Sequence, residues 1–188
     1  MKKMIPKVRS ILREAFKTSS RLGDMKIKPE HIILSLLNDY DNKVLDVLTE
    51  MGTDIEDLSS TLEGYILYKT INPMTELKLL PLSESSKNAI STAELESDKL
   101  KDEFISTEHL FLAILKNKTL EGTRVLGNKG ITYKTFKETL IQIKTENMSM
   151  TGDFDELDDD FGKKMKKNTK STTPVLDNFG RDITKLAE

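Results

Sequence analysis

Apolar side chains recur at helical spacing through most of the chain. In residues 5–22 they return at alternating steps of three and four, the spacing of one buried helix face. Residues 29–38, 42–51 and 53–66 have the same character, and the stretch 29–38 is apolar around most of its circumference. No stretch shows the sustained alternation typical of a half-buried strand. The pattern predicts four helices in the first 70 residues, with the second helix at the centre of the core.

The hydrophobic pattern then occurs a second time. Residues 5–64 align with residues 83–142 at a fixed offset of 78 positions and without a gap. Helices are therefore predicted again near residues 83–101, 107–117, 120–129 and 132–146. A fixed offset with identical residues at core positions indicates two copies of one supersecondary unit. The identical pairs include Ala15 and Ala93, Leu22 and Leu100, Asp24 and Asp102, Ile27 and Ile105, Leu34 and Leu112, Leu48 and Leu126, and Gly52 and Gly130.

Two copies predict an all-helical domain of two tandem four-helix repeats related by a pseudo-twofold axis. The predicted organisation is a first repeat at 1–70, a connector at 71–82 and a second repeat at 83–147. Residues 148–172 are polar and charged, which favours a flexible linker. Apolar residues return in 173–188, where a further structured element is expected to begin. A fold with two equivalent surfaces favours recognition over catalysis.

The second helix of each copy carries a recognisable motif. Residues 105–115, I-S-T-E-H-L-F-L-A-I-L, are similar to the signature of the Clp N-terminal repeat, and residues 27–37 match it more loosely. The V-L and G-I pairs within residues 125–131 also resemble this family. Residues 173–188 resemble the entry to the first ATPase module of ClpC-type unfoldases, here truncated.

The resemblance implies a recognition domain that sits flexibly on a hexameric AAA+ ring. Such a domain captures adaptor proteins and protein substrates on grooves between its repeats, and the ring passes substrates to the ClpP peptidase. ATP and Mg²⁺ are expected in the full-length parent. The chain itself has no G-x-x-x-x-G-K-[ST] sequence, so it is expected to hold no cofactor and to be no enzyme.

The resemblance also implies ligand contacts at Glu30 and Glu108, which are equivalent at the repeat offset. In ClpC proteins this glutamate holds the guanidinium of phosphoarginine, while a hydroxyl at the start of each repeat's first helix helps to hold the phosphate. The matching positions here are Ser83 in the second copy and Ile5 in the first. One dominant site is therefore expected, which depends on Glu108. The alternative is that both glutamates only stabilise the N-terminal end of their helix.

Composition narrows the possible functions. The chain lacks cysteine, which excludes disulfides, thiol catalysis and cysteine-ligated metal, and it carries a net charge of −2. This balance argues against nucleic-acid binding, which needs a basic face. No apolar run reaches the length of a membrane span. The sequence predicts a cytoplasmic protein without membrane contact, monomeric as an isolated domain.

Three further features of the sequence have the chemistry of possible binding sites. The only two histidines, His31 and His109, lie far apart in sequence and are expected to pack and hydrogen-bond rather than to bind metal. The acidic residues 153–160 fail the pattern of a calcium-binding loop. The lysines of 163–170 favour a solvated linker over a nucleic-acid contact. Two alternatives remain: a free-standing Clp-repeat adaptor or inhibitor of a separate unfoldase, and a small nucleic-acid binder that uses these lysines.

Overall fold

Eight helices make up the part of the chain that the computed structural model describes, residues 2–69 and 80–150. This confirms the predicted all-helical class, and these residues form no strand beyond isolated bridges. Most of the predicted connector and linker, and all of residues 173–188, lie outside the described residues, so the predicted domain boundaries stay predictions. The helices are α1 (Pro6–Arg21), α2 (Pro29–Leu37), α3 (Lys43–Glu50), α4 (Ile55–Lys69), α5 (Glu84–Lys99), α6 (Thr107–Lys116), α7 (Glu121–Asn128) and α8 (Tyr133–Met150).

The second helix of each repeat forms the centre of the core. Every residue of α2 is buried, and so is α6 from Thr107 to Leu115. Each central helix packs along the first helix of its own repeat, α1 on α2 and α5 on α6. Phe111 of α6 meets Phe136 of α8 with ring centroids 4.7 Å apart and the rings tilted by 57°. The continuous apolar character of α2 and α6 thus follows from contact on all sides.

The two repeats exchange short segments. The Ile5 amide donates to the Ile105 carbonyl at 3.0 Å, and the Ile105 amide donates to the Lys3 carbonyl at 2.9 Å. The equivalent bonds run from the Ile27 amide to the Pro81 carbonyl and from the Ser83 amide to the Ile27 carbonyl, each 2.9 Å. The segment before each repeat's first helix therefore pairs with the other repeat, as a pseudo-twofold axis requires.

The third helices cross over in the same way. Helix α3 packs against α6 and α8 of the second repeat, and α7 packs against α2 and α4 of the first. As a result, the domain has two equivalent ends, related by the pseudo-twofold axis, and each end brings together helix starts from both repeats. One end joins the starts of α1, α3 and α6, and the other joins the starts of α5, α7 and α2.

One turn breaks the equivalence of the two copies. Gly23, which follows α1, has φ +75°, and its counterpart Lys101 has φ +58° although it carries a side chain. A left-handed conformation costs a non-glycine residue roughly 1–2 kcal/mol. Glycine avoids this cost, but it loses more conformational entropy on folding than other residues, which offsets part of the gain. Lys101→Gly is therefore expected to raise the free energy of unfolding by about 0.5–1 kcal/mol in a denaturant titration. Gly23→Ala should lower it, and a destabilised Lys101→Gly variant would contradict this account.

Within residues 2–69 and 80–150, no helix is both long and apolar enough to cross a bilayer.

Candidate functional site

A cavity lies where the starts of α1, α3 and α6 meet, and we call it the Glu108 cavity. Its volume is about 420 Å³, within the range of small-molecule sites. It is built by both repeats because of the segment exchange. The residues that line it are Ile5, Lys7, Tyr40, Asp41, Asn42, Lys43, Asp46, Ser106, Thr107 and Glu108.

The carboxylate of Glu108 is buried but held loosely. Glu108 as a whole is only 1% exposed. Its Oε1 lies 3.5 Å from the Lys43 Nζ, and its Oε2 accepts from the Thr107 Oγ1 at 3.4 Å. Both contacts are long for a charge removed from water, which normally needs close hydrogen-bonded partners. Glu108 can therefore accept a cationic donor that approaches through the cavity.

Glu30, the equivalent glutamate, has a different environment. Its Oε1 accepts a hydrogen bond from the Gly122 amide of α7 at 3.0 Å. A Cβ atom added at Gly122 would lie 2.9 Å from Glu30 Cγ, so the helix backbone covers this side chain closely. Glu30 is thus occupied by the protein itself, whereas Glu108 faces a cavity.

A cap explains why the two glutamates differ. In the first repeat Asn42 Oδ1 accepts from the Val44 amide at 3.0 Å and so satisfies the start of α3. The residue equivalent to Asn42 is Leu120, which has no acceptor in its side chain. The amide of Gly122, the counterpart of Val44, therefore bonds to Glu30 instead, because helix-start amides need an acceptor. Asn42 thereby leaves Glu108 available.

Ser83 lies at the Glu30 end of the domain and not beside Glu108, the glutamate of its own repeat with which the sequence associated it. Ser83 pairs with Ile27, in the segment before Glu30, and its Oγ caps α5 by accepting from the Ser86 amide at 3.1 Å. Ile5, which lacks a hydroxyl, lines the Glu108 cavity. Each end therefore combines the first-helix start of one repeat with the glutamate of the other. A ligand contact by Ser83 stays a prediction, and it would belong to the Glu30 end.

Two lysines and three carboxylates line the Glu108 cavity. Lys7 Nζ lies 3.1 Å from Asp39 Oδ1 and 3.2 Å from Asp41 Oδ2, and the hydrogen bond to Asp39 is the main cause that raises the Lys7 pKa. The lining charges are Lys7 and Lys43 against Asp41, Asp46 and Glu108. Acids exceed bases by one, so the cavity favours a cationic group at its base.

Both histidines take part in the framework beside the glutamates. The Nδ1 atoms of His31 and His109 accept from the amides of Lys28 and Ser106, each at 3.0 Å, and thereby cap the starts of α2 and α6. Both rings are fully buried, which confirms the predicted packing role. Burial lowers the pKa of His31 from 6.5 to about 4 and also lowers the pKa of His109. Both rings are accordingly neutral near pH 7.

The carboxylates beside the histidines are Asp24 and Asp102. His109 Nε2 lies 2.9 Å from Asp102 Oδ2, a hydrogen-bond distance, while His31 Nε2 is 3.3 Å from Asp24 Oδ2. Lys144 Nζ donates to Asp102 at 2.5 Å. The pKa of Asp102 is lowered overall because the bonds to Lys144 and His109 outweigh its desolvation.

Among the residues that the structure describes, one group of side chains has metal-ligand chemistry. Asp102, Glu108 and His109 each offer a ligand atom, and these atoms lie within 4.8 Å of one another. The Lys144 ammonium already binds Asp102, and His109 uses both ring nitrogens in hydrogen bonds. A cation would have to displace these partners, so the arrangement favours a structural role.

Comparisons with known proteins agree on one family. The model of the Clp repeat (R) N-terminal domain matches residues 3–129. The chain is 24% identical over 187 residues to the negative regulator of genetic competence ClpC/MecB of Bacillus subtilis, covering 97% of this chain and 21% of the relative. It is 24% identical over 168 residues to the chaperone protein ClpB of Oceanobacillus iheyensis, covering 89% of this chain and 19% of the relative. The chain thus spans about a fifth of the length of these relatives.

Solved structures share the fold. The N-domain of ClpV from Vibrio cholerae superposes with a TM-score of 0.64 at 18% identity, covering 76% of this chain and 86% of that one. A complex of the ClpV N-domain with a VipB peptide gives a TM-score of 0.60 at 18% identity, covering 77% and 88%.

Proposed function

Because the chain belongs to the Clp repeat N-terminal domain family, we propose that it is the recognition domain of a Clp-type AAA+ unfoldase. In this proposal the domain captures adaptor proteins or protein substrates, and a hexameric ring of the longer parent unfolds them and passes them to ClpP. ATP and Mg²⁺ would be bound by that ring. The similar ClpV N-domain in complex with a VipB peptide supports peptide capture as a use of this fold.

The observation that carries the proposal is the carboxylate of Glu108 at the base of an inter-repeat cavity. A planar guanidinium matches a carboxylate through two parallel hydrogen bonds, which are stronger than neutral ones. The present partner of Glu108, Lys43, is 3.5 Å away and has a side chain that is 62% exposed. An arginine-derived group can displace it, because the buried carboxylate keeps a cationic partner while the Lys43 ammonium moves into solvent.

The displacement of Lys43 also supplies a binding partner for the phosphate. Once the guanidinium of phosphoarginine occupies Glu108, the Lys43 ammonium is released to pair with the phosphoryl oxygens. Lys7, at the start of α1, is the second cation at the rim, and the positive end of a helix also favours an anion. We therefore propose phosphoarginine on a protein substrate as the ligand, bound at one site per domain.

The proposal is tested by calorimetric titration of the chain with phosphoarginine, with arginine and phosphoserine as matched controls. We expect one site, with phosphoarginine bound more tightly than either control. Equal affinity for arginine and phosphoarginine would show that the phosphate contributes nothing. Absence of binding by phosphoarginine would remove the proposed ligand.

A further inference from the structure

A second cleft lies on the outer side of the second repeat, between the end of α6, α7 and the start of α8. We call it the Arg124 cleft; its volume is about 370 Å³. Apolar atoms of Leu115, Ile131 and Tyr133 form its base, and the charged residues among those that line it are Lys118 and Arg124. An apolar base, with a lining whose charged residues are all basic, favours an acidic partner with a large apolar side chain.

The basic rim is not neutralised within the domain. Across residues 2–69 and 80–150, neither Lys118 nor Arg124 forms an ion pair with a carboxylate. The nearby acid, Glu96, accepts from the Tyr133 hydroxyl at 2.7 Å and is itself paired with Lys99 at 2.7 Å. The Arg124 cleft therefore presents unbalanced positive charge.

Two further lysines are linked to the cleft through Tyr133, although they do not line it. Lys116 Nζ is 3.4 Å from Glu96 Oε1, so that one buried acid faces two lysines. Lys137 Nζ lies 5.7 Å from the centre of the Tyr133 ring, within reach of a cation–π contact. The charged groups linked to Tyr133 are therefore one acid, Glu96, and three lysines.

The equivalent surface of the first repeat has the opposite charge. The positions that match Lys118 and Arg124 are Tyr40 and Asp46, and those that match Asn128 and Thr132 are Glu50 and Asp54. The same helix arrangement thus tolerates three acids at these positions. Helix packing does not require the bases of the second repeat, which points to a role for them outside the fold.

We infer that the Arg124 cleft binds an acidic peptide segment of a protein partner, with one aromatic side chain as its anchor. The anchor enters between Ile131 and Tyr133, and the flanking carboxylates pair with Lys118 and Arg124. The cleft volume of about 370 Å³ is large enough for one aromatic side chain and too small for a folded partner. This surface lies apart from the Glu108 cavity and shares no lining residue with it.

The test uses a fluorescein-labelled peptide of glutamates and aspartates with one central phenylalanine, and fluorescence anisotropy as the readout. We expect saturable binding that weakens with added salt. Arg124→Glu should weaken it about fivefold, because an exposed attractive pair becomes repulsive. Lys134→Glu reverses an exposed charge that does not line the cleft, and it should leave the affinity within about twofold.

Gly127 allows a steric test of the same cleft. It lines the cleft, and a Cβ added there meets nothing within 4 Å, so Gly127→Leu is expected to fold and to fill the space. Gly64→Leu makes the same change at a helical glycine with equal room outside the cleft. The inference predicts that Gly127→Leu abolishes binding and Gly64→Leu preserves it. It is overturned if the wild type does not bind the peptide, if a phenylalanine-free peptide binds equally well, or if Arg124→Glu and Gly127→Leu both bind normally.

Discussion

Glu108→Gln is expected to weaken phosphoarginine binding roughly 30-fold, a loss of about 2 kcal/mol. The substitution preserves the shape of the side chain and removes the charge. The guanidinium then loses a charge-assisted pair in a site where the carboxylate is only 1% exposed. Calorimetric titration of wild type and variant under identical buffer conditions measures the difference, and circular dichroism checks that both are folded.

Glu30→Gln is the matched control for this prediction. The glutamine Oε1 can still accept from the Gly122 amide, which is the bond that Glu30 makes now. We expect phosphoarginine affinity within about twofold of the wild type. The reverse outcome, with loss in Glu30→Gln and retention in Glu108→Gln, would place the ligand at the other end of the domain.

The second large effect is a loss of stability in mild acid. Folding lowers the His31 pKa from 6.5 to about 4, chiefly through burial, with Asp24 opposing and Lys28 adding to the shift. Between these two values the unfolded chain binds more protons than the folded one, so stability falls as the pH falls. The window runs from about pH 6.5 down to about pH 4, and the loss amounts to about 3 kcal/mol.

His31→Gln should remove most of this pH dependence. Glutamine at the third helical position can accept from the Lys28 amide as His31 Nδ1 does, which keeps the cap and deletes the titrating group. His109, whose pKa is also lowered, leaves a residual slope of the same sign. Urea titrations at pH 7 and pH 4 measure the change, and an equal loss of stability in wild type and His31→Gln would contradict the assignment.

Much of the fold could be predicted from the sequence because its signals are local. The apolar spacing of residues 5–22 and the all-round apolar character of residues 29–38 each define a helix through its own buried face. Because residues 5–64 align with residues 83–142, the four helices predicted in the first copy are also predicted in the second. All eight helices lie within a few residues of the predicted positions.

The exchange between repeats could not be predicted in the same way. It rests on main-chain bonds such as those that join Ile5 to Ile105 and Ser83 to Ile27, and backbone pairing leaves no pattern in the side chains. The sequence therefore assigned Ser83 to the Glu108 end, although the three-dimensional pairing places it at the Glu30 end. Only the arrangement in space assigns a residue of one repeat to the site of the other.

The difference between the two glutamates had a signal that is visible only in retrospect. Asn42 against Leu120, and Val44 against Gly122, are the substitutions that decide which helix start lacks a cap. Their meaning depends on α7 packing against α2, a contact between distant segments. The residues of the Arg124 cleft lie close together in sequence, between Leu115 and Tyr133, but their convergence depends on how α6, α7 and α8 fold together.

A single phosphoarginine site in the Glu108 cavity is tested most directly by ¹H–¹⁵N spectra of the labelled chain, recorded during titration with phosphoarginine. We predict that amide signals of Lys7, Lys43 and Glu108 shift together and saturate at one equivalent. The signals of Glu30 and Gly122 should stay in place. Shifts confined to Glu30, Ser83 and Gly122, or no shifts at all, would contradict a single guanidinium site in the Glu108 cavity.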